Sequence, residues 1–347
     1  MNRLTFFIVQ AIVGMAWECQ IISVLSAQEH VIPHASLFDE GVFDIDDGAH
    51  AAERFVYRIF RPDAKHAIGA KEKLPMLVWF HGHGPLEFST NNRGQLLYVH
   101  ECILSQFERP SDCRCYLLAV QCPSASRRWF GHQGEDGEKP LIEPVEAVAR
   151  IIDALCATDP IDRDRISLVG ISSGGGAVWE FAMRHPDLVS AIAPTSASGG
   201  SVSAIAQMKS VPVWAFHNAN DFSHLKDGTL ATLAALREHG GVGWFTEVPG
   251  KDIDAHNAWR EAFLEHGLLQ WLTSQERGQT PLQSRWLFWK HARLNIQWMA
   301  PKAILLVAAI VGCVIWRRIS RKNGPELPWP FEVASERTQP SSPSEDR

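Results

Sequence analysis

The stretch RISLVGISSGGGAVWEFAMRH, residues 165–185, decides the fold. Its apolar run at 166–170 is typical of a strand buried on both faces. Two serines and three glycines cluster next, and residues 174–185 are predicted as a helix that Pro186 closes. The stretch therefore predicts a strand, a glycine-rich turn and a helix in direct succession.

The alternation of strands and helices continues on both sides of this stretch. Continuous apolar runs predict buried strands at 75–80 and 116–120, and further strands are expected at 54–60, 191–195, 213–216 and 243–248. Helices are expected at 145–155, 229–238 and 257–272. Strands alternating with helices over about 230 residues predict an α/β architecture, with a mostly parallel sheet covered on both faces.

Composition and charge narrow the class of protein. Of the 347 residues, 46% are hydrophobic and 21% are charged, so the chain can bury a core and wholesale disorder is excluded. The formal net charge of -6 leaves no basic footprint. We therefore expect no nucleic acid among its partners.

Both ends of the chain are expected to lie outside the folded domain. Residues 1–27 combine Arg3, an apolar run and small residues up to Ala27, which is the layout of a signal peptide; an uncleaved anchor is the alternative. Residues 301–316 contain an apolar run that is followed by basic residues. This pattern predicts a transmembrane helix with its basic end in the cytoplasm, and a buried terminal helix is the alternative.

These ends define the expected domain organisation. A catalytic domain at 40–275 precedes an aromatic and basic segment at 281–300, which is interpreted as an interfacial amphipathic segment or, alternatively, as a core helix. The tail at 317–347 is basic at first, then rich in Pro, Ser and Glu, and is expected to be disordered. The prediction is an exported domain on the extracytoplasmic side, anchored to the membrane by one C-terminal span.

The turn between the predicted strand and helix carries a candidate nucleophile. Gly170-Ile171-Ser172-Ser173-Gly174 has the form G-x-S-x-G, and its place between a strand and a helix is that of a nucleophile elbow. The helix that follows points its N-terminal amides at developing negative charge. Ser173 is the rival nucleophile, but Ile171 stands where its glycine should be. A glycine-rich turn with incidental serines is the remaining alternative.

Five blocks of the sequence resemble α/β-hydrolase esterases related to the poly(3-hydroxybutyrate)-depolymerase, feruloyl-esterase and prolyl-oligopeptidase-like groups. The resemblance covers roughly residues 54–272 and implies the α/β-hydrolase fold. In order along the chain, the blocks are LPMLVWFHGHG, AVQCPSASRRWF, GISSGGGAVWEFAMRHPDLVSAIAPTSASG, VPVWAFHNAND and VPGKDIDAHNAW.

The first block contains a candidate oxyanion hole. His81-Gly82-His83-Gly84 resembles the H-G-x-G turn that supplies one backbone donor in α/β-hydrolases. The N–H of His83 is the first candidate and that of Gly82 the second, while the N–H of Ser173 would be the other donor. Coordination of a metal by His81 and His83 is the rival reading, but no suitably spaced carboxylate or histidine supports it. We expect neither a metal nor a cofactor.

The resemblance implies the order serine, acid, histidine. Asp221 follows the strand at 213–216, as the acid should, and Asp227 is the alternative. His256 lies between the last strand and the last helix, where the histidine is expected, whereas His239 and His266 fall inside or at the ends of predicted helices. In the family a glycine usually occupies the place of Asn218.

The substrate is less well defined by the sequence. Only residues 196–212 separate two sheet strands, which leaves no room there for a large cap domain. Trp129 matches a tryptophan common in the resembling families and is expected to bind substrate, with ordinary loop packing as the alternative. The predicted activity is hydrolysis of small or polymeric carboxylic esters through an acyl-enzyme. A prolyl-oligopeptidase-like peptidase and a catalytically silent membrane-anchored binding module are the alternatives.

Five of the seven cysteines lie outside the two predicted targeting segments. Export would permit one or two disulfides among them, and the sequence leaves their pairing open. They are Cys102, Cys113, Cys115, Cys122 and Cys156.

Overall fold

The computed structural model describes residues 34–62, 72–83, 92–109, 112–123, 128–131, 139–249 and 255–292. All of these belong to one compact unit, Met1–Arg293, and a second unit comprises Leu294–Arg347. The predicted signal peptide at 1–27, the predicted span at 301–316 and the tail at 317–347 lie outside the described residues. Among the described residues no helix has the length and apolar character needed to cross a membrane.

Eight strands form a single sheet in the order β1-β2-β4-β3-β5-β6-β7-β8. The pairs β1–β2 and β2–β4 are antiparallel, and every other neighbouring pair is parallel. The mostly parallel sheet predicted from the sequence is therefore confirmed. The strands are β1 (Phe38–Ile45), β2 (Glu53–Phe60), β3 (Leu74–Phe80), β4 (Tyr116–Val120), β5 (Ile161–Ile171), β6 (Ala191–Thr195), β7 (Val213–Asn218) and β8 (Gly243–Val248).

Helices flank the sheet and bury its centre. Every residue of β4, β6 and β7 is buried, as expected for parallel strands that are covered on both faces. The described helices are α1 (Leu96–Cys102), α2 (Pro144–Thr158), α3 (Ser173–Arg184), α4 (Ser223–Glu238), α5 (Trp259–Leu264), α6 (Leu268–Ser274) and α7 (Pro281–His291).

The folded unit extends past both ends of the predicted 40–275 domain. β1 begins at Phe38 and pairs with β2 along its whole length. At the other end, α7 buries Phe288, whose ring stacks on Trp244 at 4.2 Å and meets the edge of Trp214 at 4.9 Å. The first part of the segment predicted to be interfacial is thus held to the domain, and residues 293–300 of it lie outside the described ranges.

The predicted helix at 257–272 is two helices in the structure. Gly267 adopts φ 74 between α5 and α6, a left-handed conformation that suits glycine and interrupts the helix. The apolar spacing continues across this break, so the pattern alone indicates one element.

The five cysteines within the described residues are all free thiols. Four are buried and Cys156 is half-buried. Two of the buried thiols lie close together, with Cys113 Sγ 3.5 Å from Cys115 Sγ.

Candidate active site

The turn between β5 and α3 holds Ser172 in a strained conformation. Its backbone has φ 53 and ψ -118, a region that a residue with a side chain adopts at a cost of about 1–3 kcal/mol. Two backbone hydrogen bonds offset part of this conformational energy. Ser172 N donates to Thr195 O at 2.9 Å, and Ser172 O accepts from Gly176 N at 3.2 Å. This turn conformation directs the serine side chain away from the end of the sheet.

Close backbone approach explains the two glycines of the motif. A Cβ on Gly170 would lie 2.1 Å from the carbonyl oxygen of Gly174, and a Cβ on Gly174 would lie 2.2 Å from that of Phe80. Both separations are far below van der Waals contact. The glycines thus allow α3 to begin directly against β3 and β5.

The structure brings the three predicted triad residues together. Ser172 Oγ lies 2.9 Å from His256 Nε2, and His256 Nδ1 lies 2.8 Å from Asp221 Oδ1. The serine hydroxyl can therefore donate to a ring whose other nitrogen donates to the carboxylate. This is the geometry needed to activate a serine oxygen.

The alternative acid and histidines lie elsewhere. Asp227 is exposed within α4. His239 is the residue that ends the same helix, and His266 packs against the ring of Phe216 at 5.9 Å. Ser173 is the first residue of α3, and its hydroxyl oxygen is buried.

Asp221 is fully buried and is held as a carboxylate. Burial by itself raises its pKa, but side-chain hydrogen bonds from His217 and His256 and the N–H of Phe222 outweigh that effect. The pKa of Asp221 therefore lies well below its usual range. An ionised acid can orient His256 and stabilise an imidazolium that forms there.

Two residues beside the triad were missed in the sequence analysis. His217 donates to the second oxygen of Asp221, with Nδ1 2.8 Å from Oδ2. Asn218, noted only as a departure from glycine, donates from Nδ2 to Asn257 O at 3.3 Å and accepts from Asn220 N at 2.9 Å. The Asn218 side chain thus connects the turn that carries Asp221 to the loop that carries His256. One sequence signal could have identified both residues: they lie in VPVWAFHNAND, a block that resembles the hydrolase families.

The turn after β3 lies directly against the nucleophile. A Cβ on Gly82 would come within 3.2 Å of Ser172 Cβ. His83 follows and is exposed, while the first N–H groups of α3 have no acceptor within the helix. The backbone of this turn and the N-terminus of α3 therefore flank Ser172, as an oxyanion hole requires. The use of the His83 and Ser173 N–H groups as donors stays a prediction.

His81 holds the turn after β3 in place from its buried side. It is completely buried, donates from Nδ1 to Gly82 O at 2.8 Å, and accepts at Nε2 from Cys122 N at 3.0 Å. Burial lowers its pKa to about 4, so the ring is neutral near pH 7. Both ring nitrogens are used in these bonds, so His81 has no lone pair to offer a metal. The described residues contain no cluster of His, Cys, Asp and Glu that could hold one.

Trp129 supports the same turn. Its side chain is 2% exposed, and its indole N–H donates to His81 O at 3.1 Å. The ring also packs edge-on against Phe80 at 5.0 Å. Trp129 therefore packs in the loop and holds the turn at His81, as the loop-packing alternative expects. Its use as a substrate contact stays a prediction.

An exposed aromatic ring borders His256. Phe222 directly follows Asp221, is 63% exposed, and lies 6.0 Å from the ring of His256. Trp259 lies 6.2 Å from the His256 ring, is buried, and is itself packed against Tyr98. The exposed ring of Phe222 thus provides apolar surface beside His256.

No protein-family model matches the chain, and no curated protein matches it. Among solved structures it is similar to a thermostable esterase, with 26% identity and a TM-score of 0.58 over 70% of this chain and 64% of that one. The chain has the α/β-hydrolase fold. The chain covers less than two thirds of the length of that thermostable esterase.

Two other similar solved structures are more distant in sequence. A ferulic acid esterase has 16% identity and a TM-score of 0.47, over 68% of this chain and 97% of that one. A Pyrococcus horikoshii acylaminoacyl peptidase has 14% identity and a TM-score of 0.47, over 71% of this chain and 44% of that one.

Proposed function

We propose that this α/β-hydrolase is a serine hydrolase that cleaves carboxylic esters through an acyl-enzyme. The observation that carries the proposal is the hydrogen-bonded line from Ser172 Oγ through His256 to the buried Asp221 carboxylate. A serine in a strained turn, a base at 2.9 Å and an ionised acid behind that base are the parts that nucleophilic catalysis by serine needs.

The proposed reaction proceeds in two halves. Ser172 Oγ attacks the ester carbonyl carbon while His256 Nε2 accepts the serine proton. The tetrahedral oxyanion is held by the N–H groups of Ser173 and His83, each expected to contribute about 2.7–4 kcal/mol. His256 then protonates the leaving alkoxide, and the acyl group remains on Ser172. Water, deprotonated by His256, hydrolyses that ester and restores the serine.

Esters of an apolar or aromatic group are the proposed substrate class. The exposed ring of Phe222 beside His256 offers an apolar contact next to the scissile bond. Only residues 196–212 lie between β6 and β7, which is too short for a large cap. An open site suits small esters as well as ester groups at the surface of a polymer.

A fluorophosphonate probe tests the nucleophile in the full-length chain. We expect an adduct on Ser172, mapped by peptide mass spectrometry, which is absent in Ser172→Ala and strongly reduced in His256→Ala. Ser173→Ala is the matched control, because its hydroxyl is adjacent yet outside the hydrogen-bonded line, and it should keep labelling. An adduct on Ser173, or no adduct on folded protein, would overturn the proposal.

Ester preference needs a separate comparison. The kcat/KM of this protein is measured for pairs of substrates, each an ester and an amide of the same acyl group. We expect the ester of each pair to have the higher kcat/KM. If the amide of each pair reacted faster, the peptidase alternative would replace the esterase assignment.

We also propose that the domain is exported and attached to a membrane by its C-terminal segment. α7 supports this, because Leu282, Trp286 and Trp289 lie at i, i+4 and i+7 and form an exposed apolar stripe. Phe288 faces the core from the opposite side, and Lys290 covers the Trp286 ring at 4.9 Å. Tryptophans next to cationic side chains suit a membrane interface.

Fractionation of cells that express the full chain tests this location. We expect the protein in carbonate-washed membranes, with its mature N-terminus after Ala27 and its domain accessible to protease from the extracytoplasmic side. A Trp286→Ser/Trp289→Ser variant should remain attached if the predicted span at 301–316 carries the attachment. Release of unaltered full-length protein without detergent would contradict the proposal.

A further inference from the structure

The second oxygen of the triad acid is bound by another buried histidine. His217 lies on β7 with 1% of its surface exposed, and its Nδ1 is 2.8 Å from Asp221 Oδ2. Asp221 Oδ1 is used by His256. One carboxylate therefore connects two imidazoles, of which only His256 reaches the serine.

Both ring nitrogens of His217 face hydrogen-bond acceptors. Nδ1 faces the Asp221 carboxylate, and Nε2 lies 2.9 Å from the carbonyl oxygen of Ala197. The hydroxyl of Thr229 lies 3.2 Å from Nε2, but it donates to the same Ala197 carbonyl at 2.7 Å. Its hydrogen is therefore not directed at the ring.

This arrangement fits a doubly protonated ring. A neutral imidazole has one N–H, so its other nitrogen would direct a lone pair at an oxygen lone pair, either that of Asp221 or that of Ala197. An imidazolium donates from both nitrogens and leaves no such contact. Its charge is compensated by the adjacent carboxylate, which makes its burial tolerable.

We infer that His217 is a positioning residue of the triad, an imidazolium that fixes the orientation of Asp221 and compensates its charge. The inference rests on the proposed serine hydrolase function. With Oδ2 held by His217, the carboxylate cannot rotate away, and Oδ1 stays aligned with His256 Nδ1. With the carboxylate charge partly compensated, the electrostatic field of Asp221 at His256 is weaker than that of an uncompensated Asp221.

The surroundings of the ring leave few other charges that could produce this effect. The ring stacks on Phe245 of β8 at 5.9 Å, α4 contributes the hydroxyl of Thr229, and the loop after β6 contributes a carbonyl group. Asp221 is the charged group that contacts the ring within the described part of the chain. A change in the protonation of His256 in a His217 variant would thus report the loss of this cation.

Two substitutions separate the charge of His217 from its hydrogen bond to Asp221. In His217→Asn the amide nitrogen takes the place of Nδ1 and donates to Asp221 without a charge. In His217→Gln the amide nitrogen takes the place of Nε2, so Asp221 Oδ2 loses its donor. We expect kcat/KM at its plateau to fall less than tenfold in the Asn variant and about ten- to a hundredfold in the Gln variant.

The pH profile of kcat/KM is the deciding measurement. Without the cation the uncompensated carboxylate favours the positively charged form of the neighbouring imidazole more strongly, so the acid limb of the profile should move to higher pH in both variants. Ser167→Ala is the matched control, because it removes a buried hydroxyl hydrogen-bonded to Ser190 and to Leu272 O. It should lower the melting temperature and leave the acid limb in place. Unchanged acid limbs in both His217 variants would overturn the inference.

A measurement without turnover separates this inference from the proposed function. Nitrogen-15 NMR of the histidine rings at neutral pH should show one ring with both nitrogens protonated, and this signal should be absent in His217→Asn. If the fluorophosphonate probe failed to label Ser172 while this signal was present, the proposed function alone would be wrong. Labelling of Ser172 with no doubly protonated ring would instead reject the role of His217.

Discussion

The indole N–H of Trp129 donates to the carbonyl oxygen of His81 at 3.1 Å. His81 in turn donates its ring N–H to Gly82 O, and Gly82 lies against Ser172. A buried tryptophan is therefore connected, through the backbone of one turn, to the space beside the nucleophile. These hydrogen bonds attach the turn at His81 and Gly82 to the buried part of the domain.

Trp129→Phe should lower kcat without changing KM. Phenylalanine keeps the packing against Phe80 and removes only the N–H, so we expect kcat to fall by about three- to tenfold, the cost of one hydrogen bond. Steady-state kinetics with several acyl chain lengths would check this. Trp214→Phe is the control, since it removes an indole bond to Thr246 instead, with no bond to the oxyanion turn. A KM that changed with acyl length in Trp129→Phe would favour direct substrate contact.

Asp221→Asn should abolish the proposed hydrolysis while leaving the protein folded. The amide can donate to His256 Nδ1 and favour the wrong tautomer, so kcat should fall by about 10³–10⁴-fold. Asp227→Asn, on the exposed face of α4, should keep the unaltered rate. An unaltered rate in Asp221→Asn would exclude Asp221 as the acid that orients His256.

Gly174→Ala and Gly176→Ala should have opposite effects on stability, although they lie in the same helix. A Cβ at 174 would meet backbone oxygens of Phe80 and His81 at 2.2 and 2.5 Å, and backbone cannot move away cheaply. We expect a loss of about 3 kcal/mol or more in the free energy of unfolding. A Cβ at 176 would meet only Phe130 at 3.6 Å. That variant should gain about 0.5–1 kcal/mol from helix propensity.

Chemical denaturation of the two glycine variants measures both changes. The expected order of stability is Gly176→Ala, then the unaltered chain, then Gly174→Ala. A Gly174→Ala protein as stable as the unaltered chain would show that α3 does not approach β3 as closely as described.

His81 should make the protein less stable as the pH falls from about 6.5 to about 4. A histidine in the unfolded chain takes up its proton near pH 6.5, whereas burial lowers the pKa of His81 in the folded state to about 4. Between these values the unfolded state binds more protons, so the free energy of unfolding falls as pH decreases and this effect levels off below about 4. The total contribution is about 3 kcal/mol.

Urea unfolding across this pH range compares the unaltered chain with His81→Gln. The variant should be less stable at pH 7, because it loses the bond to Gly82 O. Its stability should also decline less between pH 6.5 and 4, because glutamine does not titrate. Identical slopes would show that His81 is not the group responsible.

Local patterns predicted the bounds of three strands well. The expected strands at 116–120, 191–195 and 243–248 coincide with β4, β6 and β8, because short apolar runs between polar turns permit few other structures. β1 and α1 were not predicted. β1 has the sequence FDEGVFDI, whose acidic residues are tolerated because the strand lies at the sheet edge with one neighbour. A seven-residue helix such as α1 is too short for a clear helical period.

The predictions for the two termini remain predictions. The signal peptide at 1–27 and the span at 301–316 lie outside the described residues. For the segment at 281–300, the structure describes residues 281–292, and the interfacial interpretation stays a prediction. Phe288 packs in the core, while Trp286 and Trp289 face outward.

The sequence by itself determined the strand, turn and helix around Ser172, and the resemblance supplied the expected order of serine, acid and histidine. Gly170, Ser172 and Gly174 lie within five residues, and the steric demands of such a turn restrict its residue types locally. The tertiary structure alone decided how His217 and Trp129 are used. His217 reaches Asp221, Ala197 and Thr229, and Trp129 reaches His81 across 48 positions. Such contacts depend on how strands and loops are placed in space, and residue spacing along the chain carries no record of that placement.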